Sequence, residues 1–286
     1  VSRAGRLPLG LATLFGLRRG GFFIPYRHAA ALPAAGAVPV YEPFERLLRA
    51  REAAFAGVLA AMDAHADALA AFDGAEPPAP RWQQDWFPRL DGAAAYALMR
   101  RHRPARVVEV GSGHSTRFLV RALADEGVAA TVTAIDPQPR ARVAGLGVRH
   151  LAVPLHAAGP EPFAALGPGD VLFIDSSHIL MPGSDVDTVV GRILPLLPAG
   201  VLVHVHDVFL PDDYPADWAW RGYNEQQAAM ALLAGGGFEV LWASHYAATR
   251  MAAAVAASAA GRLPLPPGAR ESSLWLRKTA PALTAT

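Results

Sequence analysis

Six side chains able to do acid–base or metal chemistry stand at the ends of short apolar runs in this 286-residue sequence. They are Glu109 in "RVVEVGSGHSTRF", Asp136 closing "TVTAID", Asp175 and His178 in "VLFIDSSH", and His206 and Asp207 closing "VLVHVHD". Carboxylates and imidazoles gathered at one rim bind a divalent cation or move protons. Gly111 and Gly113 follow Glu109 and remove Cβ atoms that would block a close ligand. The helix start behind them offers unpaired N–H groups. Such a strand–glycine–helix join serves a dinucleotide, another nucleotide-like cofactor, or a nucleophilic serine.

The elements that must position these residues are readable around them. Short β-rich runs occur at Arg106–Val110, Ala130–Ile135, Val148–Val153, Val171–Ile174 and Val201–His206, with two more near Phe238–Ser244 and Ser273–Arg277. Helix-length stretches such as Ser115–Glu126 and Asp185–Leu197 separate most of them. "VLFI" and "VLVHV" are apolar on both faces, as central parallel strands require. The alternation predicts a Rossmann-like α/β fold: a doubly wound, mostly parallel seven-stranded sheet with a helical N-terminal extension. Parallel sheets bind ligands at the carboxyl ends of their strands, which is where the acids fall.

The glycine turn discriminates among its three uses. A dinucleotide site asks for G-x-G-x-x-G, and Thr116 occupies the third glycine position. A hydrolase elbow asks for G-x-S-x-G, and Arg117 occupies its last position. The stretch resembles instead motif I of class I S-adenosylmethionine-dependent methyltransferases, an acid, one residue, then G-x-G, carried here by Glu109, Gly111, Ser112 and Gly113. The resemblance implies that Glu109 and the turn through Gly111, Ser112, Gly113, His114 and Ser115 bind the methionine end of the cofactor. It implies that Asp136 holds both ribose hydroxyls, for which an ionised carboxylate is suited. A NAD-dependent oxidoreductase and a non-catalytic domain of the same fold are the alternatives.

Asp175, His178, His206 and Asp207 resemble the site of macrocin-type metal-dependent O-methyltransferases. That resemblance implies Asp175 and Ser176 beside the cofactor, Asp175, His206 and Asp207 around Mg²⁺ or a transition metal, and His178 with Asp207 as the catalytic pair. His206 stands where that family has an acid. A hydroxyl is a poor nucleophile until its proton is removed, so His178 is expected as the base. His204-x-His206 as a zinc pair and Ser176 or Ser177 with His178 as a hydrolase dyad are weaker alternatives. Further pieces, "GFFIPYRH", "WQQDWF", "HDVFLPDDYP" and "SHY", resemble a bacterial methyltransferase group whose acceptors are largely unassigned.

The totals bound the rest. Just over half the residues, 52%, are hydrophobic and 18% are charged, enough for a large core. The balance of 26 basic and 25 acidic residues gives no field to attract nucleic acid. The absence of cysteine excludes disulfides and thiolate sites, fitting a cytoplasmic location. The apolar run Leu7–Leu17 is too short to span a bilayer and reads as a segment packing on the body or on a second copy of the chain. Residues 1–100 are expected to be an arm and helical extension for capping or homo-oligomerisation, and 101–286 the catalytic domain. Within the extension, Pro43–Phe72 has the apolar period of one amphipathic helix, "DGAEPPAP" at 73–80 breaks it, and Asp91 stands as N-cap of a helix near Gly92–Arg101. Asn224 is expected to cap the helix Asn224–Leu233. The aromatics Tyr214, Trp218, Trp220, Tyr223, Trp82 and Trp86, with Asp85, Asp212, Asp213, Arg221 and Glu225, are candidate walls for a small-molecule methyl acceptor.

Overall fold

The computed structural model describes residues 3–18, 20–72 and 78–283. The chain forms two compact units, Val1–Pro39 with Asp213–Gly222, and Val40–Asp212 with Tyr223–Thr286. In the first, residues expected as an extended arm form helix α1 (Arg3–Leu14), and Ala216–Arg221 forms a 3-10 turn. Leu7, Phe15 and Leu17 in this unit are largely exposed.

The second unit is built on seven strands, β1 (Arg106–Val110), β2 (Thr131–Ile135), β3 (Arg149–Leu151), β4 (Val171–Ile174), β5 (Leu202–Val205), β6 (Phe238–Ala243) and β7 (Leu274–Lys278). Their order is β3-β2-β1-β4-β5-β7-β6, with only β7 antiparallel to its neighbours. This is the expected doubly wound sheet, and the chain reverses its winding between β1 and β4. Register places Val110, Ile174 and Val205 in line. The next residues along, Gly111, Asp175 and His206, therefore share one rim. Their backbone N–H groups continue the ladder, to Ile135 O, Val110 O and Ile174 O at 3.0, 2.9 and 2.9 Å. All four residues of β4 and of β5 are buried.

Helices α2 (Glu42–Arg49), α3 (Glu52–Asp63) and α4 (Ala66–Ala70) replace the single helix expected over Pro43–Phe72. The apolar period is real, since Leu48, Phe55, Val58, Leu59, Met62 and Leu69 are all buried. The axis is re-aimed twice because residues at the joints are claimed from elsewhere. Arg51 donates from Nε to Val240 O at 3.0 Å and pairs through Nη2 with Glu239 at 2.6 Å. His65 sits edge-on to the Tyr96 ring at 5.8 Å. Five of the residues in the break read at 73–80 lie outside the described residues.

Helix α5 (Arg89–His102) begins before Asp91, which is therefore in its first turn and not its N-cap. The free N–H of Leu90 is satisfied by Glu271 Oε1 at 2.8 Å, whose carboxylate also takes Arg89 Nε and Nη2 at 2.8 and 2.9 Å. Helix α6 (His114–Asp125) follows β1, and α7 (Glu161–Ala164) precedes β4. The stretch expected as one helix over Asp185–Leu197 opens with α8 (Asp185–Thr188), widens to a π turn at Val189–Ile193 and tightens to 3-10 at Leu194–Leu196. Pro195 has no N–H to give the ladder, so the regular helix cannot run through it. Helices α9 (Glu225–Ala234), α10 (Ser244–Arg250) and α11 (Ala252–Ala257) complete the unit. No helix among the described residues is long and apolar enough to cross a membrane.

Candidate active site

The glycine turn is tied from below by its acid. Glu109 is fully buried, and its two oxygens accept from Ser115 Oγ and Thr116 Oγ1, both at 2.6 Å. Thr116 Oγ1 in turn accepts from Gly113 N at 3.0 Å, closing the start of α6. Thr116 thus does work at the position where a dinucleotide site would carry glycine. Burial pushes the Glu109 carboxyl up to about 8, against the two hydroxyl bonds that pull it down. Gly111 has φ +81°, and a Cβ there would fall 1.7 Å from Asp175 O, so no side chain fits between β1 and β4. Asp136, half-buried at the tip of β2, accepts from Ser112 N and from Gln138 N, each at 2.7 Å, one on each oxygen. It faces the turn from the next strand, as expected.

At the tips of β4 and β5 the structure brings together the four residues expected there. His178 Nε2 lies 3.4 Å from Asp175 Oδ1 and 3.3 Å from Asp207 Oδ2. His206 Nδ1 lies 3.5 Å from Asp175 Oδ1 and 3.5 Å from Asp207 Oδ1. Two further acids extend the group. Glu225 Oε2 is 2.9 Å from His178 Nδ1, and Asp91 Oδ2 is 3.3 Å from His206 Nε2. The result is an alternating chain, Glu225–His178–Asp175–His206–Asp91, whose central Asp175 is the most open member with 29% of its side chain exposed.

Charge follows from this arrangement. Burial alone would strip both rings of their proton, but the surrounding carboxylates outweigh it. His178, beside Asp207, Asp175 and Glu225, and His206, beside Asp175, Asp207 and Asp91, are held well above the ordinary histidine range. Asp175 is held well below the carboxylate range by the same two rings, despite the burial that opposes ionisation. Glu225 is raised by its burial, with His178 pulling the other way. His178 and Asp207 both adopt left-handed backbone, φ 60° and 56°, a conformation that disfavours any residue with a Cβ. His178 O accepts from Asn224 N at 3.0 Å and from Glu225 N at 3.3 Å, fixing the strained turn to the start of α9.

Glu225 and Asp91 are the residues that sequence reasoning misplaced. Glu225 was a candidate acceptor contact and lies instead under His178; Asp91 was a helix cap and instead receives the N–H groups of Ser272 and Ser273 as well as His206. Asn224 occupies the cap position of α9, but its side chain bonds Leu180 N at 2.6 Å and Leu180 O at 3.2 Å. Trp82 is fully buried, with Nε1 donating to Leu69 O, and walls no pocket. Asp212 is taken by Arg250 and His245. Tyr223 remains beside the site, its ring 4.6 Å from that of His178.

The weaker alternatives fail on geometry. His204 is stacked on Phe173 at 3.7 Å in the core and bonds Ser273 Oγ, so it makes no zinc pair with His206. Ser177 Oγ bonds Asp185, and Ser176 Oγ is buried with no partner; neither touches the His178 ring. The metal expected on Asp175, His206 and Asp207 does not fit the donors as placed. Among the described residues no group of three or more His, Asp or Glu side chains is spaced to hold a metal ion.

A family model described as a methyltransferase domain matches residues 108–208, from within β1 to the residue after Asp207. No curated protein matches the chain. Among solved structures, the SAH-bound methyltransferase PaMTH1 of Podospora anserina is 18% identical, with 91% of this chain and 100% of that chain covered at a TM-score of 0.42. Cofactor-bound Rv0187 from MTB is 19% identical, over 78% of this chain and 89% of that one, at 0.40. The SAH-bound cmcI-N160 structure is 13% identical, over 66% and 77%, at 0.37. Family match, sheet order and glycine turn together define the class, an S-adenosylmethionine-dependent methyltransferase.

Proposed function

We propose that the enzyme methylates a hydroxyl oxygen of a small molecule, with His178 as the base and Glu225 as the group that orients it. The observation that carries this reading is the His178–Glu225 contact: Nδ1 is committed to a buried carboxylate at 2.9 Å, which aims Nε2 at the strand tips. The methyl donor fits the other half of the rim. Glu109 and the turn Gly111 to Ser115, with Asp136, Asp175 and Ser176, would hold it. Ser176 Oγ is buried without a partner there, and Asp136 Oδ1 keeps a lone pair beyond its one N–H bond, while Oδ2 takes Ser112 N and Oγ. When bound, the donor supplies a methyl group already activated on a sulfonium.

What this chain must add is alignment and removal of a proton. In the resting site Nδ1–H is held by Glu225, while Asp175 and Asp207 favour a second proton on Nε2, so the ring becomes a base only once that Nε2 proton has passed to solvent. The acceptor hydroxyl then gives its proton to Nε2 while its oxygen forms the new bond to carbon. Tyr223 beside the ring and the open edge of Asp175 offer a stacking face and a hydrogen-bond acceptor for the acceptor molecule. The test is His178→Ala assayed against a panel of hydroxylated acceptors. Turnover is expected to vanish while S-adenosylhomocysteine affinity is unchanged; full activity in the variant removes His178 from the chemistry.

A further inference from the structure

Among the described residues a buried guanidinium stands with no carboxylate paired to it. Arg117, in the first turns of α6, is only 3% exposed. Of its guanidinium, Nη2 donates to Arg142 O at 3.1 Å, while Nε and Nη1 are buried with no partner. The charge felt by Arg117 comes from another cation, Arg81, whose own Nε is also buried and unpartnered. His114, one turn earlier on the same helix, adds a third orphan, Nδ1. Burial, with Arg117 and Arg81 beside it, lowers that ring to about 4, so it is neutral.

Among the described residues few acids stand in the neighbouring segments. Between Asp136 and Glu161 the chain carries Arg140, Arg142 and Arg149 and no Asp or Glu. The part of it at Arg140–Ala141 crosses the start of α6, within 3.6 to 3.7 Å of where a Cβ on Gly113 would lie. Arg140 is itself parked over the Trp86 ring at 4.2 Å. The acid that acts on His114 is Asp85, which is exposed, and no acid acts on Arg117. A buried guanidinium with one bond to a neutral carbonyl and a second cation alongside is costly unless an anion completes it. A guanidinium N–H bonded to an oxyanion makes a charge-assisted hydrogen bond, about twice as strong as a neutral one.

We propose that Arg117, Arg81 and His114 form a binding site for an oxyanion, a carboxylate or phosphate carried by a ligand of this enzyme. Arg117 takes an oxygen through one of its two unpartnered nitrogens, Arg81 closes the outer side, and a neutral His114 adds one further polar contact. Two sources carry this chemistry: the amino-acid carboxylate of the methyl donor, or an anionic group on the acceptor. The first rests on the methyl-donor reading above; the second does not.

Calorimetry on the full chain separates them, with S-adenosylhomocysteine, 5′-methylthioadenosine (the same nucleoside without the carboxylate) and inorganic phosphate as probes. The variants are Arg117→Gln and, at the half-buried rim where folding is not at stake, Arg81→Gln. If the donor's carboxylate is the ligand, both variants weaken S-adenosylhomocysteine about 10- to 100-fold and leave methylthioadenosine unchanged. If the acceptor supplies the anion, both nucleosides bind the variants as they bind the parent, while millimolar phosphate raises the Tm of the parent and not of the variants. Unchanged affinity for all three probes in Arg81→Gln, with Arg117→Gln as stable as the parent in phosphate and without it, overturns the proposal. Failure of both nucleosides to bind the parent would instead count against the methyl-donor reading and leave the phosphate arm standing.

Discussion

Replacing Asp91 by alanine should destabilise this protein more than any other single truncation of a polar side chain outside the glycine turn. The carboxylate is fully buried and accepts Ser273 N at 2.9 Å, Ser272 N at 3.1 Å and the more distant His206 Nε2 at 3.3 Å. Alanine leaves two backbone N–H groups at the start of β7 with neither protein nor solvent to accept them. Hydrogen bonds to a charged acceptor contribute about 1.5–3 kcal/mol each, so the two main-chain bonds set a loss of about 3–6 kcal/mol before His206 is considered. That is a large part of the ~5–15 kcal/mol by which domains are stable. With a urea slope near ~3 kcal/mol/M, the midpoint should fall by roughly 1–2 M at unchanged slope. Asp91→Asn, which keeps one carbonyl oxygen for Ser273, should lose about half as much. A midpoint for Asp91→Ala within about 0.2 M of the parent would refute the reasoning, because Ser272 and Ser273 would then have found other acceptors.

Three other outcomes are expected. Asp136→Ala should weaken S-adenosylhomocysteine at least ~10-fold by calorimetry, the cost of losing a charged acceptor; equal affinity would take Asp136 out of the cofactor site. Glu109, raised from 4.5 to about 8, is protonated in the folded chain where the unfolded chain is ionised. Its contribution is therefore complete below pH 4.5 and is lost as pH rises through 8, up to about 5 kcal/mol across that window. Glu109→Gln should flatten this part of the stability–pH curve, and a variant curve parallel to the parent's would contradict the assignment. Glu225→Gln removes a carboxylate that raises His178, so the rise of kcat with pH should move to lower pH; an unmoved profile would show that Glu225 does not act through the ring.

The rim of the site was legible in the sequence because its signals are local. An apolar run that ends in an acid is a strand tip, and four such runs in the right order place Glu109, Asp136, Asp175, His178, His206 and Asp207 together. What was not legible depends on partners far away along the chain. The start of α5 is satisfied by Glu271, 181 residues beyond Leu90, so a local reading moved the helix start to the nearest good cap, Asp91. The long helix over Pro43–Phe72 failed for a related reason: periodicity reports which face is apolar, and cannot see Arg51 being drawn to β6. Glu225 had the right region and the wrong role, since nothing in "YNEQQ" announces that the first turn of α9 passes beneath His178.

The left-handed backbone at His178 and Asp207 has an evolutionary consequence. Each site charges the folded state about 1 kcal/mol for carrying a Cβ, so glycine or asparagine at either position would relieve it. Among random variants screened only for survival on heating, substitutions at 178 and 207 should therefore be enriched. The same variants should be missing from any population kept under demand for turnover. Sequencing the two pools would read the antagonism directly, as two codons that heat and chemistry push in opposite directions.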